Sequence, residues 1–133
     1  MSDTMWEIIL PCIMMVLDVV TGYISATCMG TVDSKKMKNG IYSKLAELFA
    51  IALAFFLEFA ITIFGPETLG VNVSIPIGVS VCAYVFLTEL VSIIENIGCM
   101  NPKVGTKLVE ILGIKPEKVN LVIKGGDNDE SSK

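Results

Sequence analysis

Asp18, Glu58 and Glu89 each stand inside a long run of apolar residues, and acids so placed are the side chains of this sequence best able to do chemistry. A carboxylate taken out of water costs free energy unless it is protonated, hydrogen-bonded or open to water. An acid inside a membrane span is therefore a functional-site hypothesis by default. An Asp at a span centre costs ~2.5–3.5 kcal/mol to insert, while each Leu, Ile, Val or Phe returns ~0.3–0.6. The nine such residues between Met5 and Thr27 return about 3–5 kcal/mol, so a span carrying Asp18 inserts near break-even before any partner is counted. Glu47 and Glu95 lie nearer the ends of their runs and can reach an interface.

Other chemistries lack their residues. There is no His and no Arg, and all ten basic residues are Lys. That removes His-based triads, His metal ligands and arginine fingers. Cys12, Cys28, Cys82 and Cys99 form no C-x-x-C pair and read as small apolar residues with reduced thiols, not as a zinc site or a disulfide framework. No cofactor and no metal is expected. A net charge of −4 and a pI near 4.7 argue against a nucleic-acid partner, which needs a basic face. An intramembrane aspartyl protease would need a second Asp in a G-x-G-D-type motif, and the sequence has none.

The elements that must position the acids follow from composition. Of the 133 residues, 53% are hydrophobic and 18% charged, with a mean hydropathy of +0.68. Soluble domains have roughly 45–50% apolar residues with Gly counted and about 25% charged. Three runs, about 5–27, 45–64 and 75–97, are each long enough for a helix crossing ~30 Å of hydrocarbon. A cleaved signal peptide is a poor reading of the first, which has Asp3 and no Lys ahead of it.

Lysines orient the spans. Residues 28–44 carry Lys35, Lys36, Lys38 and Lys44 against Asp33, residues 65–74 carry none, and the other six lysines, Lys103 and Lys107 among them, follow Asn96. All ten thus fall on one side of a three-span chain. Inner loops are enriched in Lys and Arg, which predicts an N-terminus outside and a C-terminus inside. Residues 1–97 form the membrane domain in this reading, 98–124 a cytoplasmic amphipathic segment and 125–133 a disordered acidic tail. Within the second, Asn101-Pro102 reads as a helix start, Val104, Leu108, Ile111 and Leu112 as an apolar face, and Gly113 as a stop. Lys103, Lys107 and Glu110 take the opposite face, as on a helix lying on the inner membrane surface or packing on a neighbour. Pro116 to Lys124 reads as a weak strand. The expected fold is an all-α membrane protein with three transmembrane helices.

Helical spacing gives each span one small, polar face. Asp18 shares its side with Pro11, Thr21, Gly22, Ser25 and Met29; Glu58 with Glu47, Ala50, Ala54 and Gly65; Glu89 with Gly78, Cys82, Ser92 and Asn96. Small residues let helices approach closely in lipid, and polar groups bond across the contact. These faces serve either helix packing within one protomer or a wet or protomer–protomer surface. With no Lys inside the predicted spans, the acids are expected to lack a cationic partner.

At this point the residues resemble a known family. Asp18, Thr21, Gly22, Ala26 and Gly30 match the D-x-x-T-G-x-x-x-A-x-x-x-G opening of the bacteriophage holin family of the toxin-secretion/phage-lysis type, common in clostridia and their phages. Ser34, Gly40 and Lys44 continue the family's loop, and Tyr84, Glu89, Ser92, Ile93, Glu95 and Asn96 match its third-span pattern. Pro102 and Leu108 follow as in its post-span helix, so the likeness covers roughly residues 15–112. The Arg-free tail departs from relatives that mix Arg and Lys.

The resemblance implies a non-enzymatic protein of the host cytoplasmic membrane. It would form homo-oligomers, open non-selective lesions in the bilayer, and let an endolysin or a toxin cross without needing direct contact. An antiholin partner fits the same family, and Met1 and Met5 offer two starts of the kind some holins use. Two other classes remain open: an antiholin-like membrane interaction protein, and a small cation- or proton-coupled channel subunit using the buried acids.

Overall fold

A computed structural model describes residues 3–68, 76–115 and 119. Four helices follow in order: α1 (Asp3–Cys28), α2 (Ser34–Thr68), α3 (Ile77–Met100) and α4 (Pro102–Leu112), with no strand among the described residues. The first three are long and apolar enough to cross a membrane.

The largest departure from the sequence reading is the start of α2. The connector expected over 28–44 is mostly helix. Asp33 accepts a hydrogen bond on Oδ1 from the Lys35 N–H at 2.8 Å, and its carbonyl accepts from the Met37 N–H. This caps a helix that the lysines, as good helix formers, continue through Gly40. The turn before it closes at Gly30, whose φ of 65° is left-handed. Lys44 thus lies ten residues into a helix, about 15 Å from its start, not in a loop beside the span.

Both α1 and α2 pack on α3 and hardly touch each other. A small core joins the three through Met15, Ile51, Cys82 and Val85, flanked by Phe55 and Val81. Much of the remaining apolar surface is open: Phe49, Phe56, Phe59 and Phe64 are 64–68% exposed. In water such a surface would aggregate; in lipid it is solvated. The hydroxyls on the outer faces obey the same solvent. Those of Thr27, Thr62 and Thr88 donate to carbonyls four residues back, so these three hydroxyls are paired within their own helices.

At the far end, α3 and α2 meet closely because Gly78 lacks a side chain. A Cβ there would lie 2.5–2.9 Å from the Phe55 ring, its Cγ included. Gly78→Ala should therefore destabilise the bundle by about 1–3 kcal/mol through overpacking. Unfolding in detergent micelles checks this, and adding Phe55→Leu should recover part of the loss.

The post-span helix forms with the ends its residues predict. Asn101 Oδ1 accepts from the Val104 N–H at 3.4 Å, Pro102 takes the first turn, and Gly113 closes it with φ 63°. Its inward face differs from expectation. Gly105 and Val109 are buried, and Leu108 and Val109 pack on Ile94, Leu90 and Val91, so α4 folds back on α3. Val104, Ile111 and Leu112 stay exposed, because the apolar arc is wider than one helix contact can cover. Of the strand expected over 116–124, only Val119 is described, buried against Ile94 and Val109; the remainder of that segment and the 125–133 tail lie outside the described residues.

Candidate functional site

The polar residues of three helices converge on one ammonium. Lys44 Nζ on α2 lies 3.0 Å from Asp18 Oδ2 on α1. It also donates to both carboxylate oxygens of Glu89 on α3, whose side chain is fully buried. Glu47, one turn along α2, approaches Nζ at 3.9 Å, and its Oε2 is buried without a hydrogen bond. Three carboxylates thus face one lysine, and the cluster carries more acid than base.

Asn96 completes the junction. Its Nδ2 donates to Asp18 Oδ1 at 3.0 Å and to Thr21 Oγ1 at 3.2 Å, while the Thr21 hydroxyl donates to the Asp18 carbonyl. Gly22 lies against the same amide: a Cβ there would stand 3.4 Å from Asn96 Nδ2, an ordinary contact distance.

The expectation that the acids have no cationic partner is therefore corrected. It depended on starting the second helix at Leu45. Started at Ser34, the helix carries Lys44 to the level of Asp18, and the long lysine stem delivers the charge between three helices. By sequence alone Lys44 belongs to the loop and helps to orient the chain. Asp33 as a helix cap, and the Lys44/Glu47 spacing of three, are the signals that would have placed it here.

Other predicted residues sort by position. Asp18, Thr21, Gly22, Glu47, Glu89 and Asn96 come together around Lys44. Ser92 lines a neighbouring cleft, while Ser25, Ala54 and Cys82 are buried in helix contacts away from the charges. Met29 and Ala50 are exposed, although helical spacing put them on the polar faces. Met29 lies past the end of α1, and Ile51 takes the inward position beside Ala50. Lys35, Lys36, Lys38, Lys103 and Lys107 are exposed.

Glu58 is separate from the cluster. Its Oε2 accepts from the Gly78 N–H at 2.9 Å, in the first turn of α3, where Pro76 supplies no side-chain cap. A carboxylate there meets unpaired N–H groups and the positive end of the helix dipole. Glu58→Gln should cost only about 0.3–1 kcal/mol and leave the timing of any membrane event unchanged; unfolding and growth curves on the same strain check both.

Beside the cluster, α1 and α2 diverge around a cleft of about 310 Å³. Asp33 in the turn and Lys36 on α2 line it, with Gly22 and Tyr23 along α1, and Lys44, Asp18, Ser92 and Asn96 also line it. The cluster's acidic and basic groups are thus packed among three helices with this cleft beside them. Such an arrangement can hold polar faces closed in lipid and offer them to water if the helices part. Among the described residues no group of His, Cys, Asp or Glu could hold a metal ion.

No curated protein and no solved structure matches the chain at a significant level. A sequence model of the bacteriophage holin family does match, over residues 3–115, a stretch that takes in all four helices and every residue of the Lys44 cluster. With that match over most of its length, the chain belongs to the bacteriophage holin family.

Proposed function

We propose that this holin, a multi-pass protein of the cytoplasmic membrane and not an enzyme, opens lesions by parting helices that the Lys44 cluster holds together. The observation that carries the reading is the ammonium shared by Asp18 and Glu89, which ties α1, α2 and α3 through charges that lipid cannot solvate. In a single protomer the polar faces are satisfied internally. As protomers accumulate and oligomerise, those faces exchange intramolecular partners for water lining a shared opening, where ionised groups keep their solvation.

The N-terminus lies outside and the turn between α1 and α2 inside, as does the C-terminus. Support comes from the lysines: those of early α2 and those of α4 belong to helix ends that the cluster contacts set at one end of the bundle. In this reading, residues 98–124 are a cytoplasmic segment. The partner in function is an endolysin that crosses without touching the holin, and an antiholin would act by holding the helices closed. Release of a toxin by the same opening is the alternative cargo.

Inducible expression with a cytoplasmic endolysin lacking any export signal tests the reading. Abrupt growth arrest with enzyme release is expected. Ion leakage without passage of the folded enzyme would instead mark a selective channel, and neither effect would mark an inhibitor.

A further inference from the structure

The bundle changes character at the level of the Lys44 cluster. On α2 every residue from Ser34 to Ser43 is exposed, Lys35, Lys36, Lys38 and Asn39 among them. From Leu45 to Phe64 the exposed residues of the same helix are apolar but for Thr62. On α3 the change falls at Glu89. Ala83, Tyr84, Leu87 and Thr88 are exposed before it, whereas no residue from Glu89 to Met100 is. That half of α3, about 16 Å long, is wrapped by its neighbours: Leu90, Val91 and Ile94 pack with Leu108, Val109 and Val119. Its apolar residues thus build a folded lower tier and do not meet lipid.

The apolar length above that tier differs between helices. Leu45 to Phe64 rises about 29 Å along α2, which matches ~30 Å of hydrocarbon. α3 offers less. The N–H groups of a helix's first turn have no partner within the helix, and lipid offers none. Ile77, where α3 starts, therefore stands at an edge of the hydrocarbon, and Glu58 takes the Gly78 N–H there. From Ile77 to Glu89 the rise is only about 18 Å. Phe55 of α2 lies against Gly78, and the exposed Phe64 stands about 14 Å beyond it.

We propose that the hydrocarbon ends at the Lys44 cluster, and that the protein thins the bilayer beside α3 and prefers lipids with short acyl chains. A span shorter than the hydrocarbon draws the bilayer in around itself, at an elastic cost that grows with the mismatch. Short chains meet α3 without that cost. Tyr23 and Tyr42 are exposed just below the cluster, where aromatic side chains gather at an interface. The lysines of early α2 and of α4 then stand among headgroups and water. The inference goes beyond the lesion reading and gives protomers a reason to gather, because α3 sides brought together share one thinned patch.

The test reads lipid contact in nanodiscs, where no lesion can form, so its outcome stands apart from that of the lesion reading. Trp6, the only tryptophan, is half-exposed on α1 and reports the lipid around the bundle. Full-length protein is placed in discs of dibrominated phosphatidylcholine mixed with dimyristoleoyl, dioleoyl or dierucoyl phosphatidylcholine. Bromine quenches Trp6, and a competing lipid relieves the quenching in proportion to its affinity. Dimyristoleoyl lipid should compete about threefold better than dioleoyl lipid, and dierucoyl lipid least. This measurement needs no variant. The edge at the cluster is read separately, with the natural cysteines replaced by Ala. Ile111→Cys, in the lower tier and 77% exposed, should react with a charged methanethiosulfonate in dioleoyl discs, and Phe49→Cys should not. Equal or better competition by dioleoyl or dierucoyl lipid would overturn the thinned belt. Ile111→Cys as protected as Phe49→Cys would place the lower tier in lipid and overturn the edge at Lys44.

Discussion

Lys44→Met should destabilise the three-helix bundle by about 3–5 kcal/mol, the usual cost of removing one partner from a buried ion pair. Met matches the lysine stem in bulk, so packing is nearly retained and the loss is electrostatic. Glu89, fully buried, would face Asp18 and Glu47 with no cation between them. The expected result is a chain that accumulates poorly and, where it does reach the membrane, triggers early, because the contact between α1, α2 and α3 is already weakened. Quantitative membrane blots give accumulation, detergent unfolding gives stability, and growth curves at matched protein level give timing. Asp18→Asn should have a milder effect in the same direction, since its single amide oxygen can still accept from either Lys44 or Asn96, though not both, while the charge attraction is lost.

The second large effect runs the other way. Asp18→Leu, Lys44→Met and Glu89→Met combined replace the whole cluster by apolar side chains. Replacing a buried ionic cluster in this way is often neutral or stabilising, by about 1–4 kcal/mol. The triple variant should therefore fold and accumulate, at or above the level of the natural protein. It should nevertheless fail to permeabilise the membrane, because its inner faces no longer gain solvation by meeting water. Nine lysines remain to orient it. A triple variant that lysed cells on the ordinary schedule would show that the cluster serves packing alone.

Much of this architecture can be read from residue order, because the bilayer imposes a simple rule on helices. Apolar length places three spans, and Asn101, Pro102 and Gly113 delimit α4 nearly to the residue. Asp18, Glu89 and Asn96 were identifiable as costly residues on facing surfaces. What could not be read is which of their partners is nearest. Lys44 sits at the edge of an apolar run, and hydropathy assigns such a lysine to the interface; its inward position comes from a helix that starts at Ser34, eleven residues before the Leu45 that hydropathy suggests. Glu58 escaped for another reason. Its partner is a backbone N–H on another helix, and backbone groups leave no mark in residue type. The same holds for α4, whose inward stripe of Gly105 and Val109 was chosen by the face of α3 it meets.

The central claim, that faces buried within a protomer come to line water, is tested most directly at Cys82. It lies on the Glu89 side of α3 and is 3% exposed. With Cys12, Cys28 and Cys99 replaced by Ala, Cys82 is the sole thiol, and a permanently charged methanethiosulfonate reagent can reach it only through water. Little modification is expected before triggering and rapid modification afterwards, in step with endolysin release. Lysis with Cys82 still protected would contradict the account.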